Sequence, residues 1–302
     1  GAAALWSRTT NPPGSQGTGL LLGHALGARL ADLEFVQFHP TAVKGVRGRE
    51  GFLITEAIRG EGATLHDAQG ERFVDELAPR DEVSRAIWAR MQQTGAESVG
   101  LDMRGIDTAL FPNVVSSLRD AGVDPTRELV PVAPAAHYTM GGIVTDLHGR
   151  SSVSGLYAVG ETSCTGLHGA NRLASNSLSE CFVFARRAAA SALGEPPAPP
   201  PREGELAALA HLKAPPVAGP ETRAALWRDA GIERSAEGLE RLLGERGPAF
   251  HPLARMIASC ALERRESRGA HRRAEHPEAD PQLEHRHVVV GASGELAWET
   301  WD

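Results

Sequence analysis

The apolar positions along the chain change period several times, and glycines and prolines mark the changes. A turn cluster, NPPGSQGTG at 11–19, leads into LLLGHALGARL at 20–30, whose apolar spacing predicts a helix. The apolar run LEFVQF at 33–38 then predicts a strand that ends at Pro40. From about 45 to 135 the periods are mixed. FLITEAIRGEGATL is followed by a glycine turn, and in APRDEVSRAIWARMQQTG Pro79 is placed to open a helix that Gly95 closes. Residues 136–193 return to a strand-then-helix pattern, with GLYAVG (155–160) as a buried strand and SLSECFVFARRAAASAL (177–193) as a helix apolar on several sides.

GEPPAPPP opens a proline-rich linker at 194–202, because adjacent prolines favour an extended backbone. Beyond it, over 203–302, ETRAALWRDAGI, SAEGLERLLGERG and PLARMIASCALERRES predict about three helices packed as a small bundle, and HRHVVVGASGELAWETWD predicts a closing hairpin. The organisation expected is α/β for 1–40 together with 136–193, an α+β insertion at 41–135, and a C-terminal helical bundle.

Composition narrows the function classes. A chain of 302 residues with 41% apolar and 23% charged residues is ordinary globular protein of roughly two to three domains. Its 31 basic and 38 acidic residues give a formal charge of −7, with the arginines dispersed, so a nucleic-acid partner is not expected. Cys164, Cys181 and Cys260 are an odd number at spacings unlike a zinc motif or a disulfide framework, which points to a reducing, cytoplasmic setting. No long uninterrupted apolar stretch or signal peptide is present, and no membrane association is expected.

Several short segments carry candidate chemistry. QFHPT places Gln37, His39 and Thr41 together at the expected end of a strand, and TEAIRGEGA sets Thr55, Glu56 and Arg59 before a glycine pair. The second suits an anion-binding turn, and equally a helix cap with a solvated charge pair. Arg80 falls in a first helical turn, where a cation opposes the helix dipole. HYTMGG sets His137 and Tyr138 before Gly141 and Gly142, where the backbone can approach another group closely. In HGANRLASNSL (168–178), Asn171, Arg172, Ser175, Asn176 and Ser177 precede a long apolar helix, so uncapped N–H groups and a positive dipole end face whatever binds. Arginine and histidine donors drawn from separated segments suit a small dianion, whereas ligands clustered for a metal are lacking.

QFHPTAV, FLITEAIRGEGATL, ELAPRDEVSRAI, HYTMGGIVTD and GLYAVGETSCTGLHGANRLASNSLSE occur in an order that resembles the flavoprotein family of succinate dehydrogenase, fumarate reductase and L-aspartate oxidase. ESRGAH at 266–271 extends the likeness. The resemblance implies a partial Rossmann-like FAD-binding domain at 1–40 and 136–193, a capping (lid) domain at 41–135, and FAD as cofactor. The wording of 161–178 is similar to the L-aspartate oxidase branch. That implies oxidation of L-aspartate to iminoaspartate by hydride transfer to the flavin, with oxygen or fumarate as acceptor, feeding quinolinate and NAD synthesis, with quinolinate synthase as partner.

By the same resemblance His39, Thr55, Glu56, His137 and Arg172, with Gln37 beside them, hold substrate carboxylates. Arg80 stands near the reacting carbons as acid and electrostatic stabiliser. Glu161 takes the ribityl hydroxyls, and Asn176, Ser177 and Leu178 lie at the isoalloxazine ring. The opening strand and G-x-G-x-x-G turn of the family are missing, since GSQGTG (14–19) has a different glycine order and follows a turn. The expectation is a chain truncated at its N-terminal side. Two other readings stay open: an oxidoreductase of the succinate or fumarate type, and a non-catalytic remnant unable to hold FAD alone.

Overall fold

The computed structural model describes residues 1–196, 214–244 and 250–301. The proline-rich segment therefore lies outside the described residues from 197 onward. The chain forms two compact units, one of residues 1–7, 14–36 and 138–302, the other of residues 8–13 and 37–137.

The first unit is built on a five-stranded sheet in the order β7-β6-β1-β8-β9, from β1 (Leu30–Ala31), β6 (Gly142–Val144), β7 (Ser163–Cys164), β8 (Arg286–Val290) and β9 (Leu296–Thr300). Only β6 and β7 pair in parallel; the β1–β6, β1–β8 and β8–β9 pairs are antiparallel. Helix α1 (Thr18–Ala25) and the long α5 (Asn176–Leu193) belong to this unit, as do helices Pro220–Asp229, Ala236–Gly244 and Pro252–Glu263. Helix Pro220–Asp229 packs on the start of the chain. Trp6 is fully buried, its indole Nε1–H donates to the Ala230 carbonyl at 2.9 Å, and Ser7 N–H donates to the Arg223 carbonyl at 3.0 Å. The hairpin forms as expected around Gly294 (φ 90°), with Val290 opposite Leu296, and its first strand also joins the main sheet beside β1.

The second unit holds a four-stranded sheet, order β2-β5-β4-β3, from β2 (Val36–Val43), β3 (Thr64–His66), β4 (Val99–Asp102) and β5 (Val130–Thr139). Helices α2 (Glu56–Gly60), α3 (Arg80–Thr94) and α4 (Pro112–Asp120) accompany it. Its core gathers Ile54, Ile58, Leu65, Val83, Ile87, Leu101, Met103 and Val130. Helix α3 runs between the two expected stops, Pro79 at its N-cap and Gly95 in the left-handed conformation (φ 70°) at its C-cap.

Two expectations are corrected. The strand does not end at Pro40 but runs through it to Val43. β2 is the terminal strand of its sheet, where a residue without an N–H is tolerated, and 51–54 sustains it, Ile54 N–H donating to Thr41 O and Val43 N–H to Phe52 O. His39 is accordingly an interior strand residue and fully buried. GLYAVG is not a strand. Left-handed glycines at 155 (φ 75°) and 160 (φ 68°) bracket it, and only Tyr157 bridges, to Arg150. Among the described residues no helix is long and apolar enough to cross a membrane.

A buried ionic knot ties the first unit together. Arg264 donates through Nε to Glu34 Oε1 at 2.7 Å and through Nη1 to Glu266 Oε1 at 2.9 Å. Burial pushes the Glu34 carboxyl up to about 7, against the pull of Arg264. An acid with a raised folded value is bound to its proton in the folded chain while already ionised in the unfolded one, so folding takes up a proton between the two values. Stability contributed here is greatest below about pH 4.5 and falls as pH rises to about 7. Buried His271, held low, contributes the opposite slope, so the difference is the test: across that window chemical denaturation should show wild-type stability changing less favourably with rising pH than that of Glu34→Gln, and an unchanged slope in the variant would refute the assignment.

Candidate active site

In the second unit, period-2 alternation sets Gln37 and His39 on one face of β2, both buried. Arg80, the first residue of α3, reaches them from its helix start. Its Nη1 donates to Gln37 Oε1 at 3.0 Å, and its Nε donates to Glu56 Oε2 at 2.5 Å. Glu56 opens α2 with Thr55 at the N-cap, a position where an acid suits the helix dipole, although Thr55 makes no side-chain cap bond. Asp81 and Glu82 in the first turn of α3 offset the unfavourable placement of Arg80 there. Arg59 is no solvated partner. It is 2% exposed, lies 3.8 Å from Glu56 and donates to the Glu76 carbonyl, and burial lowers its guanidinium from the ordinary range.

Beside this triad the rings of His39 and His137 meet edge to face, with centroids 5.2 Å apart. Thr41 N–H donates to His39 Nδ1 at 3.3 Å, so a neutral His39 carries its proton on Nε2. His137 Nδ1 is 2.8 Å from Thr10 Oγ1, and Asn11 Nδ2 donates to the His137 carbonyl at 3.0 Å. Thr10 and Asn11 carried no signal in the sequence beyond a polar turn. They matter because 8–13 runs along β5, with Thr9 bridged in parallel to Ala136.

The first unit holds the second cluster. Arg172 is 6% exposed; its guanidinium lies over the Tyr138 ring, 4.2 Å from the centroid, and donates to the Leu173 carbonyl at 3.1 Å. Tyr138 OH donates to Glu180 Oε2 at 3.4 Å. The same carboxylate accepts from Thr165 Oγ1 at 2.7 Å and pairs with His168 Nε2 at 2.9 Å. Burial, then the charges of Glu180 and Glu161, drive the Tyr138 phenol far above its usual range. Burial also works to raise the Glu180 carboxyl, but the hydrogen bonds from His168, Thr165 and Tyr138 prevail and hold it low. Thr165, His168 and Glu180 were not among the expected site residues. Glu180 had a readable signal, an acid on the α5 stripe it shares with buried Phe184 and Ala188.

Asn176 and Ser177 do not precede the helix but begin it. Ser175, left-handed at φ 63°, is the N-cap without a side-chain bond, and the first turn contains no acidic residue. That helix start is thus suited to an electron-rich group. Leu178 is exposed on it. Glu161 sits in a single 3₁₀ turn (Gly160–Thr162), and its Oε1 accepts from Thr139 N–H at 2.9 Å. The close approaches at Gly141 and Gly142 are to the chain's own backbone: a Cβ would fall 2.2 Å from Asp32 O and 2.6 Å from Thr162 O respectively.

Residues 2–178 match the model of the FAD binding domain family. The chain belongs to that family. Residues 248–299 match a second model, fumarate reductase flavoprotein C-term, which covers the segment with ESRGAH and the hairpin. The chain is 42% identical to L-aspartate oxidase of Streptomyces coelicolor over 96% of its length and 58% of the relative's. It is 46% identical to L-aspartate oxidase of Caulobacter vibrioides, over 93% and 57%. It thus spans less than two thirds of these relatives. Among solved structures, E. coli quinol fumarate reductase superposes with a TM-score of 0.81 at 30% identity, covering 100% of this chain and 64% of that one. The mixed α/β architecture is therefore that of the fumarate reductase flavoproteins.

Glu180 accepts from three side chains, so its removal should cost more than its neutralisation. Glu180→Ala should destabilise the chain by about 2–4 kcal/mol by stranding buried donors, with Glu180→Gln milder. Because its folded value is lowered, the stability Glu180 contributes is present above its unfolded value and is lost as pH falls through the folded one. Denaturation of wild type and both variants at neutral and acid pH measures both effects; equal stability of the two variants would contradict the reading.

Proposed function

We propose that this chain carries the substrate-handling and much of the flavin-handling machinery of an L-aspartate oxidase, which converts L-aspartate to iminoaspartate with oxygen or fumarate as the final acceptor. The observation that carries the reading is the 42–46% identity to L-aspartate oxidases across nearly the whole chain, with an arginine cluster of the right chemistry in each unit. The iminoaspartate would go to quinolinate synthase for NAD synthesis in the cytoplasm. The capping role is assigned to 41–135.

FAD, when bound, supplies the two-electron acceptor. Glu161 would hold its ribityl hydroxyls, and Asn176, Ser177 and Leu178 its ring, at a helix start that has neither an acid in the first turn nor a side-chain cap. Arg172 binds a substrate carboxylate through its planar fork, and the Tyr138 face beneath fixes the fork's plane, which converts binding energy into orientation. His39 and His137 donate hydrogen bonds to a carboxylate, with Thr10 setting the ring of His137. Gln37, Thr55 and Glu56 serve the same end, Glu56 and Gln37 also by steering Arg80. The Arg80 guanidinium stabilises negative charge and can give a proton when fumarate is the acceptor.

A second reading, succinate or fumarate chemistry, is favoured by the TM-score of 0.81 to quinol fumarate reductase. The deciding experiment is anaerobic: the chain with added FAD is challenged with L-aspartate, then with succinate, while flavin absorbance is followed. Bleaching by aspartate alone is expected, and Arg172→Gln should raise the half-saturating aspartate concentration by roughly 10- to 100-fold. Bleaching by succinate alone would replace the proposal with the second reading, and a chain that retains no flavin would favour the remnant.

A further inference from the structure

The loop from Thr165 to Arg172 is joined to helix α5 through one carboxylate, and both oxygens of Glu180 are taken by that loop. Oε1 accepts from Thr165 Oγ1 at 2.7 Å, and Oε2 accepts from His168 Nε2 at 2.9 Å. We propose that His168 is a positioning residue for Arg172: its Nε2–H clamps the loop to α5 and so sets where the guanidinium lies on Tyr138. What Arg172 then does with a substrate carboxylate rests on the proposed function, whereas its placement does not.

The direction of that hydrogen bond is the first observation. Burial works to raise the Glu180 carboxyl, but its hydrogen bonds prevail and hold it low, so it is ionised and has no proton to give. The hydrogen between the two side chains therefore belongs to His168. The imidazole side chain is only 4% exposed, and its Nδ1 is buried with no hydrogen-bond partner. A buried ring nitrogen left unmet is a cost that an apolar side chain in its place would avoid, so packing alone gives no reason for a histidine here. The bond to Glu180 supplies one.

Connectivity is the second. Glu180 Oε2 also accepts the Tyr138 phenol, but at 3.4 Å, well beyond the distance to His168, so the seat of the carboxylate is set by the imidazole more than by the phenol. The imidazole also meets the Tyr138 ring directly, edge to face, with centroids 5.5 Å apart. On the main chain, the His168 carbonyl accepts Asn171 N–H at 3.3 Å, a turn that closes immediately before Arg172. His168 thus touches both parts of the platform. Through Glu180 and by ring contact it holds the phenol ring under the guanidinium, and through its own backbone it holds the stretch from which Arg172 extends.

Ring-current shifts test this without any ligand. A guanidinium 4.2 Å from the Tyr138 centroid has shielded side-chain protons, and NMR of the full chain, with Arg172→Gln to assign the signals, reads the upfield shift. His168→Asn, whose amide falls near the Nδ1 position and does not reach Glu180, and His168→Phe, which keeps a ring but no donor, should each lose most of that shift; either carries the test should the other disturb folding. His168→Gln, whose amide reaches the Nε2 position, should restore it. With FAD added, the half-saturating aspartate concentration should rise by about 3- to 10-fold in the Asn and Phe variants, with the bleaching rate at saturation little changed, and return towards wild type in His168→Gln. A histidine that served stability alone would leave the shift in place in every variant that folds. Persistence of the shift in His168→Asn or His168→Phe, or its loss in His168→Gln along with them, would overturn the proposal. The expected shifts without bleaching of the wild type by aspartate would instead remove the aspartate reading and leave the placement of Arg172 supported.

Discussion

Arg264 is 1% exposed, and its guanidinium is divided among the Glu34 carboxyl group, the neighbouring Glu266 carboxylate and the Arg286 carbonyl. Its faces lie over Phe35 and Trp298, 4.7 and 4.9 Å from the ring centroids. Removing such an ion from water is expensive, and mutual attraction compensates only when every donor and lone pair is satisfied in good geometry. The knot therefore tolerates few arrangements. It fixes the 32–35 turn, the end of helix Pro252–Glu263 and the start of β8 relative to one another, which hydrophobic packing alone specifies less sharply. Arg234 extends it by donating to the Glu34 carbonyl and to His271 Nδ1, at 2.6 and 2.7 Å.

The knot is also continuous with the Arg172 cluster. Five residues after Arg264, Gly269 adopts φ 52° and packs so closely that a Cβ would lie 2.6 Å from the Ala170 carbonyl oxygen; Ala270 N–H donates to that same oxygen at 2.9 Å. Ala170 is two residues before Arg172. A segment read from the sequence only as part of a family likeness thus has a mechanical reason for its glycine. It seats the loop from which Arg172 reaches Tyr138, and a larger residue would push that loop away.

What the sequence made legible follows from how local each determinant is. Pro79 and Gly95 bracket α3 because both act through their own backbone dihedrals, and Gly294 turns the hairpin for the same reason. GLYAVG and LEFVQF look alike as apolar runs, yet the second supplies the start of β2 from Val36 and the first forms no strand. The difference lies in the partners they find and in the left-handed glycines at 155 and 160, neither of which a hydrophobic pattern encodes. Among the candidate residues, Gln37, Glu56 and Arg80 could be named singly but not joined, since residues 37 and 80 meet only through the fold. Thr10 was invisible, a hydroxyl in a polar turn whose role depends on pairing with β5 more than 120 residues away. Glu180 was visible in principle, as a charge within an apolar helical stripe.

The Glu180 cluster illustrates how one contact fixes two protonation states in opposite senses. The phenol hydrogen bond helps keep the Glu180 carboxyl ionised, and the resulting negative charge, added to burial, makes loss of the Tyr138 proton harder still. Tyr138 therefore stays neutral at neutral pH and above the ordinary phenol value. A neutral phenol continues to donate to Glu180 and continues to offer Arg172 a π face, whereas a phenolate would compete for the guanidinium as an anion. The support beneath Arg172 keeps its charge state while the surroundings change. In the proposed reaction, a change of aspartate affinity near neutral pH must then arise from the substrate or from groups other than Tyr138, because neither proton on which this platform depends is exchanged there.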